Sequence, residues 1–125
     1  MCEHNDARSQ MAEGFARFLC PSDLAVFSAG AAPGDVHALT VRTMKEVGID
    51  VSSQKAKGLK DVPLQAVAVA IALCDPEQCP SLPDHVQVLD WPLEDPASDE
   101  ITEDDSLHAF RRSRDQVREM VSSLF

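Results

Sequence analysis

The chain has 125 residues, of which 44% are hydrophobic and 26% charged, a composition typical of one compact globular domain rather than of a disordered chain. Its formal net charge of −10 disfavours binding to phosphate backbones and anionic lipids, which argues against a nucleic-acid or membrane-surface binder. No apolar run approaches the roughly 18 residues that a membrane span requires. The first residues, Met1–Asp6, have no signal-peptide pattern. We therefore expect a soluble, cytoplasmic protein with a single domain over residues 1–125.

The first half of the chain predicts two helices with a short strand between them. A helix over residues 9–20 carries apolar side chains at helical spacing, namely Met11, Phe15, Phe18 and Leu19. The segment Leu24–Phe27 has a strand pattern and leads into Ser28-Ala29-Gly30. Asp35 is placed to cap a second helix over residues 36–47, which Gly48 ends.

The second half predicts two further strands and a final helix. The apolar run 66–73 is typical of a parallel strand covered on both faces, and residues 86–89 form the next strand. Seven acidic residues lie between positions 94 and 105, which indicates a solvated loop. Thr102 and Asp105 then resemble a capping box before a last helix. The apolar side of that helix is formed by Leu107, Phe110, Val117, Val121 and Leu124.

Alternating strands and helices predict an α/β fold with a parallel sheet. In such sheets, ligands bind at the carboxyl ends of the strands, where the strand-to-helix loops meet. Three chemically active side chains are predicted at that edge: Cys2 before the first helix, Cys74 after the strand at 66–73, and Asp95 after the strand at 86–89. This edge is the candidate site.

Residues 2–9 read Cys-Glu-His-Asn-Asp-Ala-Arg-Ser, a C-x5-R-S loop that runs into a helix. Such a loop can aim several backbone N–H groups at one point, where the helix N-terminus adds partial positive charge. A tetrahedral oxyanion fits this arrangement, and Arg8 can hold two of its oxygens. The same field favours the thiolate form of Cys2, to which Ser9 could donate its hydroxyl. Asn5 tolerates the left-handed conformation that the loop requires.

The four cysteines are expected to be thiols, because the chain lacks an export signal. Cys74 and Cys79 are separated by four residues at the edge that also holds Cys2, which favours redox chemistry. A zinc site is disfavoured because no second C-x2–4-C pair is present and His85 alone cannot complete a tetrahedral set. Cys74 has the alternative role of a small buried hydrophobe, and Cys20 is predicted to be structural.

These segments, with Ser9–Phe15, Ser28-Ala29-Gly30 and Trp91–Pro96, resemble the low-molecular-weight tyrosine-phosphatase superfamily and, within it, the thioredoxin-type arsenate reductases. The resemblance covers nearly the whole chain. It implies a three-layer α/β/α fold around a four-stranded parallel sheet of order 2-1-3-4. It also implies that Cys2 is the nucleophile and Asp95 the general acid. The oxyanion-binding positions that it implies are Glu3, His4, Asn5, Asp6, Ala7, Arg8 and Ser9.

The resemblance further implies reduction of arsenate to arsenite through a relay of three cysteines, Cys2, Cys74 and Cys79. A disulfide would pass from Cys2–Cys74 to Cys74–Cys79, and thioredoxin, or glutaredoxin with glutathione, would restore the thiols; no bound cofactor is expected. Two alternatives stay open: a phosphatase acting on phosphoesters, and a non-catalytic oxyanion or redox-partner binding domain. The chain has no Tyr, and Ala97-Ser98 follows the Asp95-Pro96 pair. This favours a small inorganic oxyanion, for which phosphate or sulfate would be mimics, over an aromatic ester.

Two departures from the family pattern lead to further expectations. Some members bind potassium through residues matching Asn5, Glu13 and Ser28 and a later Thr-x-Asp; here the later segment is Lys55-Ala56-Lys57, and a lysine ammonium can replace the metal charge. We therefore predict no metal site. Family members also have an apolar strand before the nucleophile, whereas only Met1 precedes Cys2 in this sequence. We expect the natural protein to carry that strand, or another chain to fill its place; otherwise the protein is expected to be a monomer.

Overall fold

The computed structural model describes residues 1–20, 23–75, 77–97 and 103–124. Within them lie three helices, α1 (Arg8–Leu19), α2 (Ala38–Lys45) and α3 (Glu103–Ser122), and two strands, β1 (Val69–Ala72) and β2 (Gln87–Asp90). Two short 3₁₀ turns, Leu59–Asp61 and Leu64–Ala66, precede β1. The strands are parallel, which confirms the predicted α/β class with parallel pairing.

The three helices pack on one another around a shared apolar core. Its buried members are Ala7, Met11, Phe15, Met44, Val51, Phe110, Val117 and Val121. Gly14 lets the side chains of Val51 and Met44 approach α1 closely. A Cβ atom at position 14 would lie 2.8 Å from Cγ1 of Val51 and 3.0 Å from Cε of Met44. The core therefore anchors the N-terminal half of α1, whose first residue is Arg8.

The last turn of α1 extends beyond this core. Phe18 and Leu19 were predicted on the apolar face, yet Phe18 is 72% exposed and Leu19 is also exposed. That prediction is wrong because the helical period identifies a face of α1 but not how far along the helix its neighbours reach.

Helix α2 begins later than predicted. His37, and not Asp35, caps it: Nδ1 of His37 accepts a hydrogen bond from the amide of Leu39 at 3.0 Å. The Asp35 prediction is wrong because the carbonyl of Asp6 binds the amide of His37 at 3.0 Å and so ties the start of the helix to the loop at residues 2–8. Gly48 has a φ of 82° and follows the helix as predicted.

The sheet is shorter than predicted. Strand β1 begins at Val69 rather than at residue 66, because Leu64–Ala66 forms a 3₁₀ turn; its register with β2 runs from Val69 opposite Gln87 to Ala72 opposite Asp90. The strand predicted at Leu24–Phe27 is absent from the described structure. Shortly after this segment, Gly30 forms an isolated parallel β-bridge with Cys2.

Met1 and Cys2 lie along the second edge of β1. The amino group of Met1 donates to the carbonyl of Ile71 at 2.6 Å, and the amide of Leu73 donates to the carbonyl of Met1 at 2.8 Å. On the other side, the amide of Cys2 donates to the carbonyl of Ala29 at 3.2 Å. The loop that starts at Cys2 is therefore held by backbone on both sides.

The acidic run at 94–105 is described up to Ala97 and again from Glu103, so the proposed Thr102 capping box lies outside the described residues. The last helix was correctly predicted, and Phe110, Val117 and Val121 are buried. Leu124 lies beyond its end and is exposed.

Candidate active site

Residues 2–8 form a loop whose backbone carbonyls are hydrogen-bonded to the surrounding chain. The carbonyls of Glu3, His4 and Asn5 accept hydrogen bonds from Ala32 N, Gly34 N and the Gln10 side chain, at 2.8, 3.0 and 3.1 Å. The carbonyl of Asp6 accepts from His37 N at 3.0 Å. In a trans peptide the next N–H points opposite to the carbonyl, so the amides of residues 4–7 point the other way. Within the described part of the chain, the amides of residues 4, 5 and 7 have no backbone acceptor, and the amide of Asp6 interacts with its own carboxylate. The first three amides are available to an anion.

The shape of the loop depends on two residues with unusual backbone requirements. Asn5 has a φ of 51°, which is the left-handed conformation predicted for it. Gly30 lies against the loop: a Cβ atom there would be 2.6 Å from the carbonyl oxygen of Glu3 and 2.7 Å from the amide nitrogen of Asn5. Because both neighbours are backbone atoms, position 30 accommodates glycine only.

Cys2 lies at the start of the loop with its side chain buried and its sulfur unbonded to other cysteines. Its Sγ is 2.9 Å from Oγ of Ser9 in the first turn of α1, which is the contact expected from the sequence. Ser9 Oγ also accepts a hydrogen bond from Nδ2 of Asn5 at 2.7 Å. The hydroxyl proton of Ser9 is not used in that bond, so it is available to the sulfur when Cys2 is a thiolate.

Arg8 is buried beneath the loop. Its Nη1 donates to the carbonyls of Leu73 and Leu93 at 3.2 and 2.8 Å, which fixes the plane of the guanidinium. Its Nε is buried without a hydrogen-bond partner among the described residues. Leaving a buried donor unpaired costs about 1–3 kcal/mol, so an oxyanion oxygen at Nε would relieve a cost already present.

Asp95 lies in the loop after β2, with its carboxylate close to the guanidinium of Arg8. Its Oδ2 is 3.7 Å from Nη2 of Arg8, and its Oδ1 accepts from the amide of Ala97 at 2.9 Å. The loop continues the pairing with β1, since the amides of Trp91 and Leu93 donate to the carbonyls of Ala72 and Leu73 at 2.8 and 3.0 Å. The neighbouring carboxylates, Asp90 and Glu94, are exposed.

Cys74 and Cys79 are joined by a disulfide, with their Cα atoms 6.1 Å apart. Cys74 is fully buried and follows Leu73, the residue whose carbonyl binds Arg8, while Cys79 is partly exposed. The pairing inferred for the end of the relay is thus present beside the anion loop. Cys20 is half-buried and is not bonded to another cysteine, and its structural role stays a prediction.

Comparison with known proteins assigns the family. The profile of the low molecular weight phosphotyrosine protein phosphatase family matches residues 1–125. The chain belongs to this family. Among curated relatives, an arsenate reductase of Halalkalibacterium halodurans is 33% identical, with 98% of this chain and 90% of the relative aligned. A glutaredoxin arsenate reductase of Synechocystis sp. is 37% identical over 99% of this chain and 92% of its own. A solved arsenate reductase in the oxidized state is 37% identical, has a TM-score of 0.81, and is matched over 98% of this chain and 90% of its own.

Two ionisable side chains of the anion loop, Asp6 and His4, have shifted pKa values. Burial, and next the charge of Asp95, raise the pKa of Asp6. The hydrogen bond between the ring of His4 and the carbonyl of Ala32 raises the pKa of His4, as do the carboxylates of Glu3, Asp6 and Asp95. The sequence predicted that the backbone of this loop binds the anion. It did not predict the pKa shifts of Asp6 and His4, because these depend on distances that spacing along the chain does not reveal.

Behind the loop, Lys57 places its ammonium group among polar atoms. Its Nζ is 3.0 Å from Oε1 of Glu13, 3.4 Å from Oγ of Ser28 and 3.2 Å from the carbonyl of Lys55. This is where the sequence comparison led us to expect a lysine charge. Among the described residues, no group of three or more His, Cys, Asp or Glu side chains could hold a metal ion. The expected lack of a metal site stays a prediction.

Gln10 is a site residue that the sequence analysis missed. It is fully buried, and its Nε2 donates to Asn5 Oδ1 at 2.9 Å and to the carbonyl of Lys55 at 3.0 Å. Gln54 Nε2 in turn donates to Gln10 Oε1 at 2.7 Å. Glutamine in a first helical turn is usually exposed, so no local sequence pattern identified Gln10 as a site residue.

None of the helices in the described ranges is both long and apolar enough to cross a membrane.

Proposed function

We propose that this protein is an arsenate reductase that converts arsenate to arsenite. The observation that carries the proposal is the Cys74–Cys79 disulfide beside an anion loop that already contains Cys2, Arg8 and Asp95. Hydrolysis of a phosphoester needs the loop, the arginine and the acid but has no use for the additional cysteine pair, Cys74 and Cys79. The names of the relatives, arsenate reductases with more than nine tenths of this chain aligned, support the same choice.

In the first step, the thiolate of Cys2 attacks arsenic(V) held by the loop amides and by Nε and Nη2 of Arg8. Asp95 gives a proton to the departing oxygen, which leaves as water, and a sulfur–arsenic bond forms. The acid is close to Arg8 in this structure, at 3.7 Å, and therefore close to any oxyanion that Arg8 holds.

In the second step, the thiolate of Cys74 attacks the sulfur of Cys2. The sulfur–arsenic bond breaks with both electrons on arsenic, which leaves as arsenite, and a Cys2–Cys74 disulfide forms. Cys79 then attacks Cys74, which frees Cys2 as a thiolate and leaves the Cys74–Cys79 disulfide. The two electrons that arsenic gained have come from two thiols, so an external thiol donor must supply two electrons per turnover.

That donor is thioredoxin, or glutaredoxin with glutathione. The relative from Synechocystis is a glutaredoxin arsenate reductase, while the resemblance described from the sequence is to the thioredoxin type. We further propose that the protein works as a cytoplasmic monomer, holds no cofactor, and binds neither nucleic acid nor membrane, in keeping with its net charge of −10.

We also propose that the full sheet has four parallel strands in the order 2-1-3-4 within a three-layer α/β/α fold. In this arrangement the segment that ends at Gly30 is the second strand, Met1 and Cys2 belong to the first, and β1 and β2 are the third and fourth. The hydrogen bonds from Met1 to Ile71 and from Cys2 to Ala29, on opposite sides, support this order.

A phosphoester hydrolase is the second candidate, because the family match and the anion loop are compatible with it. Steady-state assays on arsenate and on p-nitrophenyl phosphate, each with and without thioredoxin, separate the possibilities. Arsenite formation that requires the thiol donor supports the reductase. Phosphate release alone supports the hydrolase, and anion binding without turnover supports a non-catalytic binding domain.

The relay is tested by Cys74→Ser. The variant should form no arsenite over repeated turnovers with thioredoxin as the sole reductant, because nothing can release arsenic from Cys2. Arsenate should still protect Cys2 from alkylation, because Cys2, Arg8 and Asp95 are unchanged. Cys20→Ser is the matched control and should keep full activity. Wild-type turnover by Cys74→Ser would remove Cys74 from the mechanism.

A further inference from the structure

We propose that Asp6 determines which oxyanions the anion loop selects. Its carboxylate accepts the proton of hydrogen arsenate, so the loop favours oxyanions that keep a proton at neutral pH over fully ionised ones such as sulfate. The inference rests on the proposed function, because it takes the anion loop as the arsenate site. Backbone amides and a guanidinium bind tetrahedral oxyanions of both kinds, so they do not distinguish one kind from the other.

The backbone around Asp6 fixes the side of the loop on which its carboxylate lies. The carbonyl of Asn5 accepts a hydrogen bond from Nε2 of Gln10 at 3.1 Å, so the amide of Asp6, in the same trans peptide, points the opposite way. The carbonyl of Asp6 is held by His37 N at 3.0 Å and Thr40 Oγ1 at 2.8 Å. Since the half-buried carboxylate interacts with the amide of its own residue, it lies on the side to which the loop amides point.

The guanidinium of Arg8 indicates where an oxyanion binds relative to this carboxylate. Arg8 is 4% exposed, and its Nε has no hydrogen-bond partner among the described residues, so an oxyanion oxygen would satisfy it. Asp95 Oδ2 lies 3.7 Å from Nη2 of the same guanidinium. The charge of Asp95 also reaches Asp6, where it is the second cause, after burial, of the raised pKa of Asp6. An oxyanion at Arg8 would therefore have the carboxylates of both Asp6 and Asp95 near it.

The two carboxylates act on an oxyanion in different ways. Asp95 is the proposed proton donor, so it is protonated when arsenate binds, and Asp6 is the carboxylate that accepts. An ionised carboxylate only accepts hydrogen bonds, so an oxyanion oxygen approaches it favourably as an O–H group. Arsenate and phosphate carry such a group at neutral pH, and its hydrogen bond to a carboxylate is strong and charge-assisted. Sulfate has no proton there, so its oxygen meets a like charge unless Asp6 itself takes up a proton.

The test compares the affinities for phosphate and sulfate at pH 7 by calorimetry. In Asp6→Asn the ratio of phosphate affinity to sulfate affinity should fall by about tenfold, the size expected for loss of one hydrogen bond to a charged group. Asp6→Ser, which also removes the carboxylate, should lower the ratio in the same way. Glu3→Gln is the matched control, because it removes a carboxylate of the same loop whose Oε2 is 3.8 Å from His4 Nε2. It should change both affinities by the same factor.

Proton uptake on binding separates this hydrogen bond from a general effect of charge. Calorimetry in buffers of different ionisation enthalpy counts the protons taken up. Wild type should take up more protons with sulfate than with phosphate, because Asp6 is protonated beside sulfate, and the difference should vanish in Asp6→Asn. The other titratable groups near Asp6 or the anion are the same in both proteins: Cys2, His4, His37 and Asp95.

Three results would overturn the proposal. They are equal proton uptake with both anions in wild type, an unchanged affinity ratio in folded Asp6→Asn and Asp6→Ser, and loss of binding of both anions in these folded variants. Neither phosphate nor sulfate is reduced in the test, so its result is independent of whether the protein reduces arsenate. The assays of arsenite formation test that proposed function separately.

Discussion

Asp95, the proposed general acid, is held in position by hydrogen bonds of the surrounding backbone. The amides of Trp91 and Leu93 bind the end of β1, and Ala97 N holds one carboxylate oxygen, so the other faces Arg8. This constraint on both sides of the residue is what a general acid needs, because proton transfer depends on hydrogen-bond distance to the leaving oxygen.

Asp95→Asn should lower the rate of arsenate reduction by about 10²–10⁴-fold, the usual contribution of general acid catalysis. Phosphate affinity, measured by calorimetry, should change little because the amide is close in size. Glu94→Gln is the control, since Glu94 is exposed and adjacent. If the control were inactive and Asp95→Asn fully active, the acid would be Glu94.

Substitution of Gly30 tests whether the shape of the anion loop is needed for anion binding, and it leaves every functional group unchanged. Gly30→Ala should abolish phosphate binding, because its Cβ would lie 2.6 Å from the Glu3 oxygen and would push the loop backbone away. Gly34→Ala is a matched control, since a Cβ there would meet nothing within 4 Å. Calorimetry with phosphate compares the two variants, and unchanged affinity in Gly30→Ala would mean that the loop is looser than the structure shows.

At the level of the elements, α2 and α3 are joined by a surface cluster at Glu46. Arg111 Nη2 and Arg114 Nη1 lie 2.7 and 2.8 Å from its two oxygens, and Arg114 also donates to the carbonyl of Thr43 at 3.1 Å. The hydrogen bond from Arg111, followed by its charge and that of Arg114, lowers the pKa of Glu46 to about 2. The cluster therefore stabilises the helix pair mainly when Glu46 is ionised.

The sign of the pH effect follows from that shift. A carboxyl group whose pKa is lowered in the folded state contributes stability that is fully present above its ordinary pKa of 4.5 and is lost as the pH falls through about 2. Glu46→Gln should thus melt below wild type at pH 7, and the difference should shrink steadily between pH 4.5 and pH 2. Glu119 is an exposed residue on α3, and Glu119→Gln should show no such change in the melting difference between pH 4.5 and pH 2. A melting difference independent of pH would contradict this role.

At the scale of the whole molecule, several apolar side chains are exposed, and Met1 pairs with one edge of β1. Leu24, Phe27 and Val69 are 52%, 42% and 51% exposed, and the pairing of Met1 with β1 reaches Ile71 and Leu73. Burial lowers the pKa of the Met1 amino group from 8.0 to about 6. Between these pH values the unfolded chain binds more protons than the folded one, so the stability of this chain should rise with pH there.

Adding about seven apolar, β-branched residues before Met1 should therefore raise the melting temperature and the arsenate reductase rate. The added strand would cover the exposed side chains and replace the buried amino group by an amide, so the gain should be larger at pH 6 than at pH 8. A Gly/Ser extension of equal length is the control for the amide alone. Equal melting and equal activity of the 125-residue and apolar-extended forms, both monomeric by size-exclusion chromatography, would contradict this prediction.

The sequence by itself determined those features that depend on neighbours along the chain. The helical period placed Phe110, Val117 and Val121 in the core, and the C-x5-R-S pattern indicated the loop and the contact of Cys2 with Ser9. The left-handed Asn5 follows from the same local reasoning, since few side chains tolerate that conformation. Each of these features is set within one or two helical turns.

The tertiary structure decided whatever depends on residues far apart in the chain. His37 rather than Asp35 caps α2 because the carbonyl of Asp6 binds there, and Phe18 is exposed because the core ends before it. Contacts of 2.7–3.0 Å join Lys57 to Cys2 through Glu13, Ser28, Asn5 and Ser9, across fifty-five residues of sequence. Hydrogen bonds of this kind are set by packing in three dimensions, so spacing along the chain cannot reveal them.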